Sequence, residues 1–183
     1  MDAQWIERAR AAWRWRGEDR PPFAVEPTEG QESVWDYPRP PSVEPVTVPV
    51  RIELGGITLA ESHRAVRVLE TASAPAIYVP STDIRMDLLR PDTAGAVCEW
   101  KGPWVYWNIV TPEHTSPRAA WGYTDPWSGY EAIRDCLSFY LGRVDACWLG
   151  DQKVESQPGG FYGGWVTPEI VGPMKGGPGS QGW

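Results

Sequence analysis

The strongest pattern along the chain is alternation. In "VRIELGG", Val50, Ile52 and Leu54 are separated by Arg51 and Glu53, which predicts a half-buried strand. Gly55 and Gly56 then supply a two-residue turn into "ITLAES", so the two segments read as a hairpin. Further strands are predicted at "RAVRVLE", "AIYV", "WVYWNIV", "RAAWGYT" and "VDACWLG", and Pro80 to Asp83 is turn or helix-start chemistry. Helical spacing occurs twice. Over residues 2–16, Asp2 caps the start, Trp5, Ile6, Ala9 and Trp13 share one face, and Gly17 stops the helix. In "PWSGYEAIRDCLSFYLG", Tyr130, Ile133, Leu137 and Tyr140 form a stripe between Pro126 and Gly142.

The remaining segments have no such period. Residues 21–49 are rich in proline and acidic side chains, yet Phe23, Trp35 and Tyr37 mark them as a strap laid over a domain. The glycine-rich end carries Phe161, Tyr162, Trp165, Ile170 and Trp183, which would be costly to expose and are expected to pack inward. The predicted organisation is a helix and strap over 1–44, a β domain over 45–154 and a packed tail over 155–183. The predicted fold class is mainly β (α+β). It consists of small curved, tent-like or barrel-like antiparallel sheets with one packed helix, plus the N-terminal helix. No repeat at solenoid or propeller spacing is present.

Composition sharpens this picture in three ways. A chain of 183 residues holds one domain with a sizeable core. Twelve tryptophans imply an aromatic-lined core, pocket or interface, since each has a large ring to bury and an indole N–H to satisfy. A net charge of −7 argues against nucleic acid as the main partner, and the arginines between Arg8 and Arg16 read as a solvated helix face. The three cysteines, Cys98, Cys136 and Cys147, stand singly, no apolar leader opens the sequence, and no apolar run reaches membrane-span length. A cytoplasmic protein without a membrane partner is expected.

Motifs for common chemistries are missing. His63 and His114 are far apart and no Cys-x-x-Cys pair occurs, so no metal is expected. "WSGYEA" lacks the first glycine of a nucleophile elbow, and "MKGGPGS" lacks the order of a phosphate-binding loop. What remains is Glu70 at the end of a strand, Lys101 after Glu99 and Trp100, and Asp83 in "STDIRMDLL". In a partly apolar pocket, burial would raise the pKa of Glu70 into the range of an acid or base, and Lys101 would pair with it or hold an anion. Both also have plain readings, as a solvated carboxylate and a lysine lying along Trp100 or Trp104. Cys98 reads as a small core residue or a reactive thiol. In the strand from Trp104, alternation puts Trp104, Tyr106 and Asn108 on one face and Val105, Trp107 and Ile109 on the other.

Four segments, "RVLETASAPAIYVPSTDIRMDLLRP", "CEWKGPWVYWNIV", "AAWGYTDPW" and "GRVDACWLGDQKV", resemble the family known as domain of unknown function 427. The resemblance covers Pro45 to Val154, and the flanks look like those of a longer subgroup. It implies a small, predominantly β, tent-like domain with one helix. The family pattern falls on Glu70, Tyr78, Pro80, Asp83, Cys98, Lys101, Gly102, Tyr106 and Trp121, with Glu99 where many relatives carry proline. Related architectures hold zinc through paired cysteines, which this chain lacks. The family's nucleotidyltransferase-type label would need magnesium-holding carboxylates and triphosphate donors, and no such set is recognisable.

The expected function is binding of a small apolar or planar metabolite in an aromatic pocket. Tyr78, Asp83, Cys98, Trp104 and Trp121 would line it. Glu70, Lys101 and Tyr106 would carry any proton transfer, isomerisation or cyclisation, without a cofactor. The alternative is an interaction module in which the tryptophans build a homo-oligomer interface.

Overall fold

A computed structural model describes residues 3–183; Asp2, read as a helix cap, lies outside the described residues. Helix α1 (Ala3–Ala11) precedes β1 (Glu32–Ser33), β2 (Ser42–Pro45), β3 (Val50–Leu54), β4 (Ile57–Ser62), β5 (Val66–Leu69) and β6 (Ala76–Pro80). There follow β7 (Leu89–Cys98), β8 (Gly102–Val110), β9 (Thr115–Gly122), β10 (Cys136–Phe139) and β11 (Ala146–Leu149). The last are β12 (Gln152–Lys153), β13 (Glu155–Ser156), β14 (Trp165–Val166) and β15 (Ile170–Val171).

The β3–β4 hairpin forms as its sequence dictates. Gly55 and Gly56 both adopt positive φ, at 60° and 73°, as the tightest hairpin turns require. Strands β2-β5-β6-β10-β9-β8-β7 make an antiparallel sheet of seven strands, and β12-β11-β3-β4 make one of four. The protein is mainly β, and among the described residues no sheet closes into a barrel. Two small pairs tie in the flanks: β1 runs parallel to β15, and β13 antiparallel to β14.

Period-two alternation gives the large sheet two different faces. Ile77, Val79, Ala120, Leu137, Phe139 and Ile109 turn toward Val50, Ile52, Leu54 and Leu59 of the small sheet and form the main core. The residues between them, Tyr78, Trp121 and Cys136, turn the other way into an aromatic cluster with Tyr123, Tyr130 and Tyr140. Full burial of each large apolar side chain contributes about 1.5–3 kcal/mol, so the core face fixes the register that aims the aromatic face.

Two expectations need correction, and one strand was not expected at all. The packed helix expected over residues 126–142 is absent: Glu131–Ile133 is a single 3₁₀ turn, and Cys136–Phe139 is the β10 strand. The helical stripe misleads because β10 is buried on both faces, Cys136 in the aromatic cluster and Leu137 and Phe139 in the core. Asp135, at φ 55°, breaks the helical path just before it. The N-terminal helix ends at Ala11, not near Gly17, and the extended chain beyond it lets the Trp13 indole donate to Glu99 Oε1 at 2.5 Å. Finally, β7 had no strand signal. Pro91 and Gly95 interrupt its pattern, and the register with β8 shifts between these two residues.

Candidate functional site

On the aromatic face of the large sheet the chain leaves a half-open pocket of about 270 Å³. Glu70, in the turn that follows β5, lies on its edge. Glu70 Oε1 accepts from Lys175 Nζ at 3.1 Å and from Arg39 Nη2 at 3.3 Å, while Oε2 accepts from Lys101 Nζ at 3.4 Å. The three cationic side chains are almost wholly buried, with exposures of 0% for Arg39, 9% for Lys101 and 5% for Lys175.

Each group is placed by a local device. Lys101 lies in the tight β7–β8 turn, where Gly102 at φ 98° has no room for a Cβ against the Trp127 ring. The Lys101 carbonyl accepts from the Trp127 amide at 3.0 Å. Lys175 is held through its backbone, which donates to Ala72 O and accepts from Gln157 Nε2, both at 2.8 Å. Arg39 donates to Trp15 O and Thr71 O, at 2.9 and 2.8 Å. Trp13 covers the cluster, with the Arg39 guanidinium 4.1 Å and the Lys175 ammonium 4.9 Å from its ring centroid.

The walls are aromatic. The Trp121 indole donates to Tyr78 Oη at 3.0 Å and lies 4.4 Å from Tyr140, centroid to centroid. Trp104, Tyr123 and Tyr162 complete the walls, and Cys98 also lines them; Phe161, expected to pack inward, instead stands at the rim, 67% exposed.

Charge sets the protonation states. Burial pushes the Glu70 carboxyl upward, but Lys175, Lys101 and Arg39 together outweigh it and hold the group well below the usual carboxylate range. The rise in pKa expected for Glu70 is thereby reversed. Glu70 is a permanent anion that organises three cations, which disfavours a role as general acid. Burial lowers the pKa of Lys175, with Glu70 opposing and Arg39 adding to the fall. For Lys101 burial acts downward too, but Cys98 and Glu70 leave it raised. Burial pushes Tyr78 up to about 12 and Tyr123 well above its ordinary value, so both phenols stay protonated at neutral pH.

Of the residues singled out from sequence, Glu70, Tyr78, Cys98, Lys101, Trp104 and Trp121 converge on this pocket. Tyr106 does not line it. Its ring supports Trp104 edge-on from 4.5 Å, as the shared face of β8 requires. Asp83 lies elsewhere, accepting from Ser62 Oγ at 2.6 Å and paired with Arg64. Sequence reasoning missed Trp13, Arg39, Gln157 and Lys175. Trp13 reads only as part of a helix face, the other three sit in segments without periodicity, and the folded chain alone brings them together around the pocket. Among the described residues no group of three or more His, Cys, Asp or Glu side chains is arranged to hold a metal ion. No described helix is long and apolar enough to cross a membrane.

Residues 42–150 match the model of the family described as domain of unknown function (DUF427), and the chain belongs to that family. No curated protein matches the chain.

Proposed function

We propose that this DUF427 protein is a small-molecule-binding domain whose ligand sits against the aromatic face of the large sheet. One observation carries the reading: Glu70 and Lys101, on separate turns, meet at 3.4 Å on the edge of a space walled by Tyr78, Trp104, Trp121 and Tyr123. Apolar walls with a few convergent polar groups are the usual anatomy of a ligand site. Burial of Trp35, Trp100, Trp121 and Trp165 favours this reading over assembly through tryptophans, because these rings are turned away from any partner. A planar ligand would stack on the ring faces, while Tyr78 and Tyr123 present protonated donors to its edge. Any proton transfer would run through these groups, because Glu70 is locked in its ionised form.

The test is a fragment screen by protein-observed NMR, following the tryptophan indole N–H signals. Binders should move Trp121 and Trp104 first. Ala96 is exposed on β7 and lines the pocket, so Ala96→Trp should close the space and abolish those shifts without lowering the melting temperature. Shifts that map to other surfaces, or that persist in Ala96→Trp, would sink the reading.

A further inference from the structure

We infer that the segments flanking the family-matched region convert this pocket into a site for a planar organic anion, its carboxylate or phosphate oxygens gripped by Lys175 and Lys101. The inference rests on the pocket reading above and adds the class of ligand.

Residues 42–150 contribute Glu70 and Lys101, a pair with no net charge. Arg39 comes from the strap before that region and Lys175 from the tail after it, and both reach the same carboxylate. Three cations thus face one carboxylate in a setting where side-chain exposure is 15% or less. Buried charge is costly unless it is paired, so the surplus calls for a further anion. Glu99 cancels only part of it. Its carboxylate accepts from Trp13 and acts on Arg39, so it offsets one of the three cations and leaves a positive charge over.

The donors for an anion are present. An ammonium has three N–H groups, and Lys101 and Lys175 each direct one hydrogen bond, to Glu70, among the described contacts. Arg39 is more fully used, by Trp15, Thr71 and Glu70, so it acts as a fixed background charge. The chain as a whole carries −7, which makes this cationic pocket an isolated attractor for small anions. Trp121, Tyr78 and Tyr123 supply flat walls for a ring attached to the charge.

Isothermal titration calorimetry on the full chain tests this with 1-naphthoate, 1-naphthyl phosphate and neutral 1-naphthamide. One of the two anions should bind about tenfold or more tightly than the amide, the span of one charge-assisted contact. That preference should weaken with added salt, collapse in Lys175→Met and survive in Lys175→Arg. Which anion binds more tightly distinguishes a carboxylate ligand from a phosphate. Equal binding of acid and amide would overturn the anion inference and leave the pocket standing. No binding of any probe would remove both. An anion preference unchanged in Lys175→Met would overturn the role of the flanking tail.

Discussion

Lys175 Nζ lies 3.1 Å from Glu70 Oε1 although 105 positions separate them in the chain. The contact joins the glycine-rich tail to the turn after β5, and Arg39 brings the strap to the same oxygen at 3.3 Å. One carboxylate therefore ties together three segments that also share the hydrophobic cluster of Val34, Trp35, Tyr37, Leu69 and Ala72. Neutralising it should be far more damaging than losing a surface ion pair. Glu70→Gln is expected to cost about 3–5 kcal/mol, the usual penalty for orphaning one side of a buried ionic cluster. Urea unfolding measures it. A loss below about 1 kcal/mol, typical of exposed pairs, would show that the cluster is not a structural anchor.

The same cluster fixes an acid limit. The folded-state pKa of Glu70 lies below its ordinary value of 4.5, because the three cations outweigh burial. A depressed carboxyl contributes stability that is complete above the unfolded value and is lost as pH falls toward the folded one. The unfolding free energy should therefore hold from neutrality to about pH 5 and decline below pH 4.5, more steeply in the wild type than in Glu70→Gln. Parallel slopes in the two proteins would refute the assignment.

An alkaline limit follows with the opposite sign. Burial raises Tyr78 and Tyr130 from 10.0 to about 12, so the fold favours the neutral phenols. Their contribution is complete below pH 10 and disappears as pH climbs through 12. Cys136 behaves likewise between 9.0 and about 11. Tyrosinate absorbance should show a class of phenols that ionises late, together with unfolding. If all the tyrosines titrated near pH 10 in the folded protein, Tyr78 would not be enclosed as described.

Asp83 provides a contrast. It answers to the family pattern, yet its partners are Ser62, Thr82 and an Arg64 side chain that is 64% exposed. Asp83→Asn should change stability by no more than about 1 kcal/mol and leave ligand affinity unaltered. Loss of binding in this variant would mean that the site extends around the edge of the sheet, away from Glu70.

How far the sequence revealed the molecule depended on which force acted locally. Strands with one polar and one apolar face were legible, because alternation is set by burial: β3, β8 and β11 lie where their patterns put them. The faces of β8 were legible too, with Ile109 in the core and Trp104 beside Tyr106 on the other side. β10 was not, since a strand buried on both faces has no polar positions to reveal its period, and Tyr130, Ile133, Leu137 and Tyr140 happened to match a helical one. Half of the site was readable from Glu70, Lys101 and the aromatic strand between them and the core. The other half was hidden because Arg39 and Lys175 act through charge, which has no period and works across any sequence distance.

The tail closes the pocket through a steric fit that has a simple test. Gly163 passes directly over the Trp121 ring, and a Cβ there would overlap the ring edge. That ring has little freedom to yield: it is 8% exposed, its N–H is bonded to Tyr78, and Tyr140 lies against it. The backbone at Gly163 is not in the left-handed region, so Gly163→Ala introduces crowding without conformational strain. The expected cost is about 1–3 kcal/mol, as for other overpacked sites, with the tail pushed off and ligand affinity reduced. Gly160 is the matched control, because a Cβ there meets nothing within 4 Å. Gly160→Ala should be neutral or slightly stabilising, since it only restricts the unfolded chain. Equal melting temperatures for the two variants would mean that the tail does not rest on Trp121, and the enclosure of the pocket by residues 161–164 would have to be abandoned.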